Sequence, residues 1–131
     1  MRGWKGAFLF GALSAISIAP AQAANLPKRV GACMETKIKS VGTRLVDGST
    51  GKPIPGSGSA VSFTNGGYQV SYDTVPAIEQ SRPGDPARMC LVSIPRGCPK
   101  GDTRGRVYST TNLRTHKSWR LPDSEHSCGG A

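Results

Sequence analysis

The reading of one stretch decides the fold: Arg88-Met89-Cys90-Leu91-Val92-Ser93-Ile94-Pro95. Apart from Arg88 and Ser93 it is apolar throughout, and a proline closes it. A short apolar run of this kind reads as a buried strand. It opens the segment 88–128, which holds Cys90, Cys98 and Cys128 and much of the positive charge. A turn-rich link follows, Arg96-Gly97-Cys98-Pro99-Lys100-Gly101-Asp102. Residues 104–113, rich in β-branched side chains and tyrosine, then read as a second strand. Arg114-Thr115-His116-Lys117 reads as a hairpin turn, and Ser118-Trp119-Arg120-Leu121 as a third strand stopped by Pro122. The rest of the chain has to pack against these elements.

Upstream, Asn65-Gly66-Gly67 divides two alternating runs. Val61 and Phe63 precede it; Tyr68, Val70 and Tyr72 follow. Asn-Gly supplies the positive φ angles of a tight hairpin turn, and the apolar residues of both runs are then expected on one face. Asp73-Thr74-Val75-Pro76 offers a helix cap with proline in the first turn, and residues 77–80 one helical turn before Arg82-Pro83-Gly84-Asp85-Pro86 ends it. Further back, Val30, Ala32, Met34, Thr36 and Ile38 alternate with Gly31, Cys33, Glu35, Lys37 and Lys39, the pattern of a half-exposed strand with a charged outer face. Residues 47–59, dense in Gly, Ser and Pro, read as a long surface loop. About six short strands with at most one helical turn predict an all-β fold. The expected form is a small disulfide-stapled antiparallel barrel or sandwich, with an OB-like barrel among the options.

Residues 1–23 have the form of a secretory signal: Arg2 and Lys5, an apolar run from Ala7 to Ile18, and the small-x-small site Ala21-Gln22-Ala23. The apolar run is shorter than the roughly 20 residues that cross a bilayer, so no stable membrane insertion is expected. Residues 24–131 are then expected to form a single β-domain, periplasmic or secreted. Its charge is +7: 17 Lys and Arg less Arg2 and Lys5, against 8 Asp and Glu.

Four cysteines in a small exported domain read as two disulfides, and no CxxC or paired-histidine spacing suggests zinc. Pairing Cys90 with Cys98 is hard. An extended chain travels roughly 16 Å from Cys90 to Pro95, and three residues return at most about 10 Å. The residual gap is at the upper edge of what a disulfide spans. Cys33–Cys90 with Cys98–Cys128 is favoured; Cys33–Cys98 with Cys90–Cys128 is the alternative.

No catalytic constellation stands out, and neither a cofactor nor a metal is indicated. Asp123-Ser124-Glu125-His126 gathers the residue types of a hydrolase. Adjacent residues of an extended chain point to opposite faces, though, and triad partners normally come from separate segments. There is no G-x-S-x-G elbow and no phosphate loop. His116 reads as a solvated turn residue.

Charge is the feature above background. Arg96, Lys100, Arg104, Arg106, Arg114, Lys117 and Arg120 fall within 25 residues opposed only by Asp102, with Tyr108 and Trp119 interleaved. Basic strands with exposed aromatics suit a polyanion or single-stranded nucleic acid. Arg104, Arg106, Tyr108, Arg114, Trp119 and Arg120 are therefore the candidate binding residues.

The tail pattern Gly101-Asp102-x-Arg104-Gly105-Arg106-x-Tyr108, Asn112-Leu113-Arg114-Thr115, then Ser118-Trp119-x-Leu121-Pro122-Asp123-Ser124-x-His126-x-Cys128-Gly129-Gly130 resembles that of a family of small exported alphaproteobacterial proteins. The resemblance implies a compartment and carries no activity with it. The expected function is a non-enzymatic periplasmic or secreted module for an anionic partner: a polyanion, an envelope component or a nucleic acid. The alternatives are an envelope hydrolase using Ser124 and His126, and an inhibitor of a secreted enzyme using the 47–59 loop.

Overall fold

A computed structural model describes residues 25–130 throughout and, before them, residues 3, 6, 7, 9 and 11–16. The cleavage motif Ala21-Gln22-Ala23 lies outside the described residues. Leu9, Leu13 and Ile16 are almost fully exposed and add nothing to the core.

Six strands and one short helix follow in the order β1 (Cys33–Thr43), β2 (Ser59–Phe63), β3 (Tyr68–Ser71), α1 (Pro76–Glu79), β4 (Pro86–Ser93), β5 (Val107–Asn112) and β6 (Ser118–Pro122). They form one antiparallel sheet in the order β3-β2-β1-β4-β5-β6, curled into a half-barrel. β1 makes the curl possible. Its residues 33–37 pair with β4, its residues 38–43 pair with β2, and the register shifts between Ile38 and Ser40. Such an irregularity bends a strand and sharpens its twist, so the two halves of the sheet turn toward each other. The first strand is shared between the two halves, the helix follows β3, and β6 is an edge strand.

The concave face carries the core: Ile38, Val61, Phe63, Ile78, Ala87, Met89, Leu91, Tyr108 and Trp119. Ile78 is fully buried, so α1 serves as a plug packed against β1, β2 and β6. The helix starts at Pro76 after Val75, which makes no side-chain cap; Asp73 does not cap it. So small a core is supplemented by two disulfides, Cys33–Cys90 and Cys98–Cys128. Cys33 and Cys90 are direct cross-strand partners with Cα atoms 4.0 Å apart. This is the connectivity favoured from the chain-length argument.

Three expectations need correction. β4 is half buried rather than buried on both faces: Ala87, Met89 and Leu91 face the core, while Arg88 is exposed and Cys90 and Val92 are partly so. The apolar outer positions serve the disulfide and the sheet surface instead of a second layer. The first strand begins at Cys33, and Val30 is 62% exposed in the turn before it. The third correction concerns the 64–67 hairpin. Val61 pairs with Gln69 and Ser62 with Tyr68, and the Phe63 N–H donates to the Gly67 carbonyl. The loop is therefore the three residues 64–66, with Gly66 at φ 87°. A tight Asn-Gly turn would differ by one residue, and a one-residue slip exchanges the faces of a strand. Tyr68 accordingly points outward and Gln69 points into the core.

Gln69 closes the half-barrel. Its Nε2 donates to the Tyr108 carbonyl at 2.8 Å and the Leu121 carbonyl at 3.1 Å. Its Oε1 accepts from Thr110 Oγ1 at 2.6 Å and Trp119 Nε1 at 2.8 Å. Both donors and both lone pairs of the amide are used. One side chain from β3 thus reaches across to β5 and β6, which the sheet order leaves unladdered to β3.

Candidate polyanion-binding face

The strand registers place the outward side chains of β1, β4, β5 and β6 in rows. One row is Glu35, Arg88, Thr111 and Ser118; the next is Cys33, Cys90, Ser109 and Arg120. Lys37 stands two residues from Glu35 along β1, opposite Pro86. Alternation puts Met89, Thr110 and Trp119 inside, so these rows make the convex face. Lys37, Arg88 and Arg120 are exposed, and none is in an ion pair among the described residues. They run diagonally across the sheet. Glu35 is the acidic residue of these four strands. Between Arg88 and Arg120, β5 presents only the short hydroxyl side chains Ser109 and Thr111. Thr111 shares a 2.8 Å hydrogen bond with Ser118. The strip is a lane floored by hydroxyls with a guanidinium on each bank. Beside it, an open groove of about 320 Å³ is lined by Glu35, Thr36, Lys37, Thr64, Pro86, Ala87 and Leu113.

Of the six binding residues expected from sequence, only Arg120 lies on this strip. Tyr108 and Trp119 are core residues, and neither is an exposed aromatic. Both occupy inward positions of their strands, where burial of a large ring and a satisfied indole N–H outweigh any surface role. Burial raises the Tyr108 hydroxyl above its ordinary pKa; nearby Asp123 adds to this and Arg106 opposes it.

Arg104 precedes β5 and grips Asp102 with two hydrogen bonds, Nε to Oδ1 at 3.0 Å and a terminal nitrogen to Oδ2 at 2.9 Å. It also donates to the Gly130 carbonyl, while the Gly129 N–H donates to Asp102. Those hydrogen bonds, Arg104's first, hold the Asp102 carboxyl well below the usual range. Arg106 has its Nε buried without a partner.

Arg114 follows β5, so it lies a strand length, roughly 20 Å, from Arg106. It is committed to Asp85 by Nε–Oδ1 at 2.6 Å and a terminal nitrogen to Oδ2 at 3.0 Å. Asn112 Nδ2 and the Arg82 N–H complete the shell of the buried carboxylate. Arg114, Asn112 and the Arg82 amide together hold Asp85 far below the ordinary carboxylate pKa, against the opposing effect of burial. Arg104 therefore anchors the tail, and Arg114 the β5–β6 turn.

Other candidate chemistry is also placed. Ser124 Oγ donates to the carbonyl of His126 at 2.6 Å, not to its ring. His116 sits exposed in the turn at φ 60°, a left-handed conformation that histidine enters more readily than most residues. The exposed tyrosines belong to the other half of the sheet. Tyr72 carries the Arg44 guanidinium over its ring at 4.2 Å, and Arg44 pairs with Glu125 of the tail at 2.9 Å. The 47–58 loop is tied to itself: Asp47 accepts from the Ser49 hydroxyl and from the Ser49 and Thr50 amides, which lower its pKa.

Lys37 and Arg88 were not among the expected binding residues. Their signal is one of parity: Arg88 is the one charged position in its apolar run, out of phase with Ala87, Met89 and Leu91. Lys37 alternates likewise with Thr36 and Ile38. No protein-family model matches the chain, and no curated protein or solved structure matches it.

Proposed function

We propose that this chain is an exported, non-enzymatic binding module that holds an anionic polymer on the convex face of β1, β4, β5 and β6. The observation that carries this reading is the diagonal of exposed, unpaired Lys37, Arg88 and Arg120, at a face whose four strands contain one carboxylate. The buried or tail-facing carboxylates Asp85 and Asp102 already have arginine partners, so they do not neutralise the cations of the strip. Export is supported by the signal-like residues 1–23 and by two disulfides, which persist in oxidising compartments. Among the described residues no helix is long and apolar enough to cross a membrane.

Heparin chromatography in a salt gradient tests the reading. Retention past about 0.15 M salt is expected, because several anion contacts release several counterions. The Arg88→Gln/Arg120→Gln pair is expected to elute distinctly earlier with an unchanged fold. Elution of the native protein below that salt concentration sinks the proposal, and unchanged elution of the double variant moves binding off this face.

A further inference from the structure

We infer that the anionic polymer is a carboxylated polysaccharide and not a nucleic acid, an inference that rests on the polyanion reading above. It comes from what lies between the cations. Adjacent strands are about 4.8 Å apart and alternate residues about 6.8 Å apart. Lys37 and Arg88 are then about 8 Å apart at Cα, and Arg88 and Arg120 about 12 Å, with β5 between them. The cations are thus spread along the lane, and the interval is filled by Ser109, Thr111 and Ser118. A hydroxyl both donates and accepts, which matches the hydroxyls of a sugar ring. A guanidinium binds a planar carboxylate through two parallel hydrogen bonds, and Arg88 and Arg120 are exposed to do so.

The same lane is poor for nucleic acid. Single strands are held largely by stacking bases on aromatic side chains. Both aromatic residues of β5 and β6, Tyr108 and Trp119, point into the core, and the outward positions of these strands carry no aromatic ring. Duplex recognition sends a helix or a two-stranded ribbon into a groove. The convex sheet presents neither, and α1 has four residues and is used as a plug.

Isothermal titration of the oxidised protein with polygalacturonate, with single-stranded poly(dT) of equal total charge and with neutral dextran decides the matter. At 50 mM salt, polygalacturonate is expected to bind at least tenfold more tightly than poly(dT), with no heat from dextran. Arg88→Gln/Arg120→Gln is expected to weaken both acidic polymers. Ser109→Ala/Thr111→Val, which keeps the charge and the strand, is expected to weaken polygalacturonate at least threefold and leave poly(dT) unchanged. Poly(dT) binding as tight as or tighter than polygalacturonate overturns this inference and leaves the polyanion reading standing. Equal loss of both polymers, or no loss, in the hydroxyl variant removes sugar recognition from the lane. Absence of binding to either polymer and to heparin overturns both.

Discussion

Gln69 is the residue on which most of the closure depends. It is fully buried, and its amide meets two carbonyls, one hydroxyl and one indole N–H on β5 and β6. A buried polar group left without its partner costs about 1–3 kcal/mol. Gln69→Leu keeps the bulk and strands several such groups at once, Trp119 Nε1 among them. It is expected to lower stability by about 3 kcal/mol or more. Urea unfolding followed by Trp119 fluorescence measures this; a loss under about 1 kcal/mol would mean that water replaces the amide. The exposed cations of the strip behave oppositely. Arg88→Gln and Arg120→Gln are expected to change stability within about 0.5 kcal/mol, because surface charges without close partners contribute little.

At the scale of elements, the loop between β1 and β2 returns to the sheet through Gly58. Its φ is 115°, and a Cβ there would stand 1.9 Å from the Ser71 carbonyl oxygen. That atom is strand backbone and cannot swing aside. Gly58→Ala is therefore expected to displace the start of β2 from β3 and destabilise by more than the roughly 1 kcal/mol of positive-φ strain alone. Gly56→Ala, at φ 75° with open space around it, is the matched control; the difference between the two thermal midpoints isolates the clash.

The β5–β6 turn is held by Arg114 on Asp85, and this sets an acid limit. Asp85 titrates below its unfolded value of about 3.9, so its contribution is complete above that pH and is lost as pH falls through the folded value. Arg114→Gln removes the largest cause of the depression. The midpoint of acid unfolding is expected to rise toward the ordinary carboxylate range, while stability near neutral pH also falls. An acid midpoint unchanged by the substitution, read by circular dichroism, would show that Asn112 and the Arg82 amide suffice.

For the whole molecule, the C-terminal tail completes a sheet that does not close by strand pairing. Cys98–Cys128 ties residues separated by 30 in sequence, and Arg104, Asp102 and Arg44 add contacts to Gly130, Gly129 and Glu125. On a chain-entropy basis a loop of this length contributes about 3–4 kcal/mol. The Cys98→Ser/Cys128→Ser variant is expected to lose stability of that order and to lose amide protection over residues 123–130, while β1 and β4, joined by Cys33–Cys90, remain protected. Hydrogen exchange reads this directly; protection of the tail in the variant would show that the polar contacts hold it alone.

Much of this was legible in the chain. Alternation around Met89 and Leu91, turn residues at 64–67 and 82–86, and four cysteines with one sterically awkward pairing determined an all-β, doubly stapled sheet, because strand period and chain reach are local quantities. Two things were decided only by tertiary structure. The hairpin register was one: Asn65-Gly66 is compatible with two loop lengths. Choosing the three-residue loop sends Gln69 inward, where its four hydrogen-bonding sites find partners that lie 39 to 52 residues away. The other was which cations are free. Arg104 and Arg114 look as available in sequence as Arg120, yet each meets a carboxylate brought to it by a turn or by folding, Asp102 from two residues away and Asp85 from 29. Lys37 and Arg88 lie outside the basic cluster and come onto one strip with Arg120 only when β1, β4, β5 and β6 align. Charge is written residue by residue, but whether a charge is spent or exposed depends on partners that only the fold brings near.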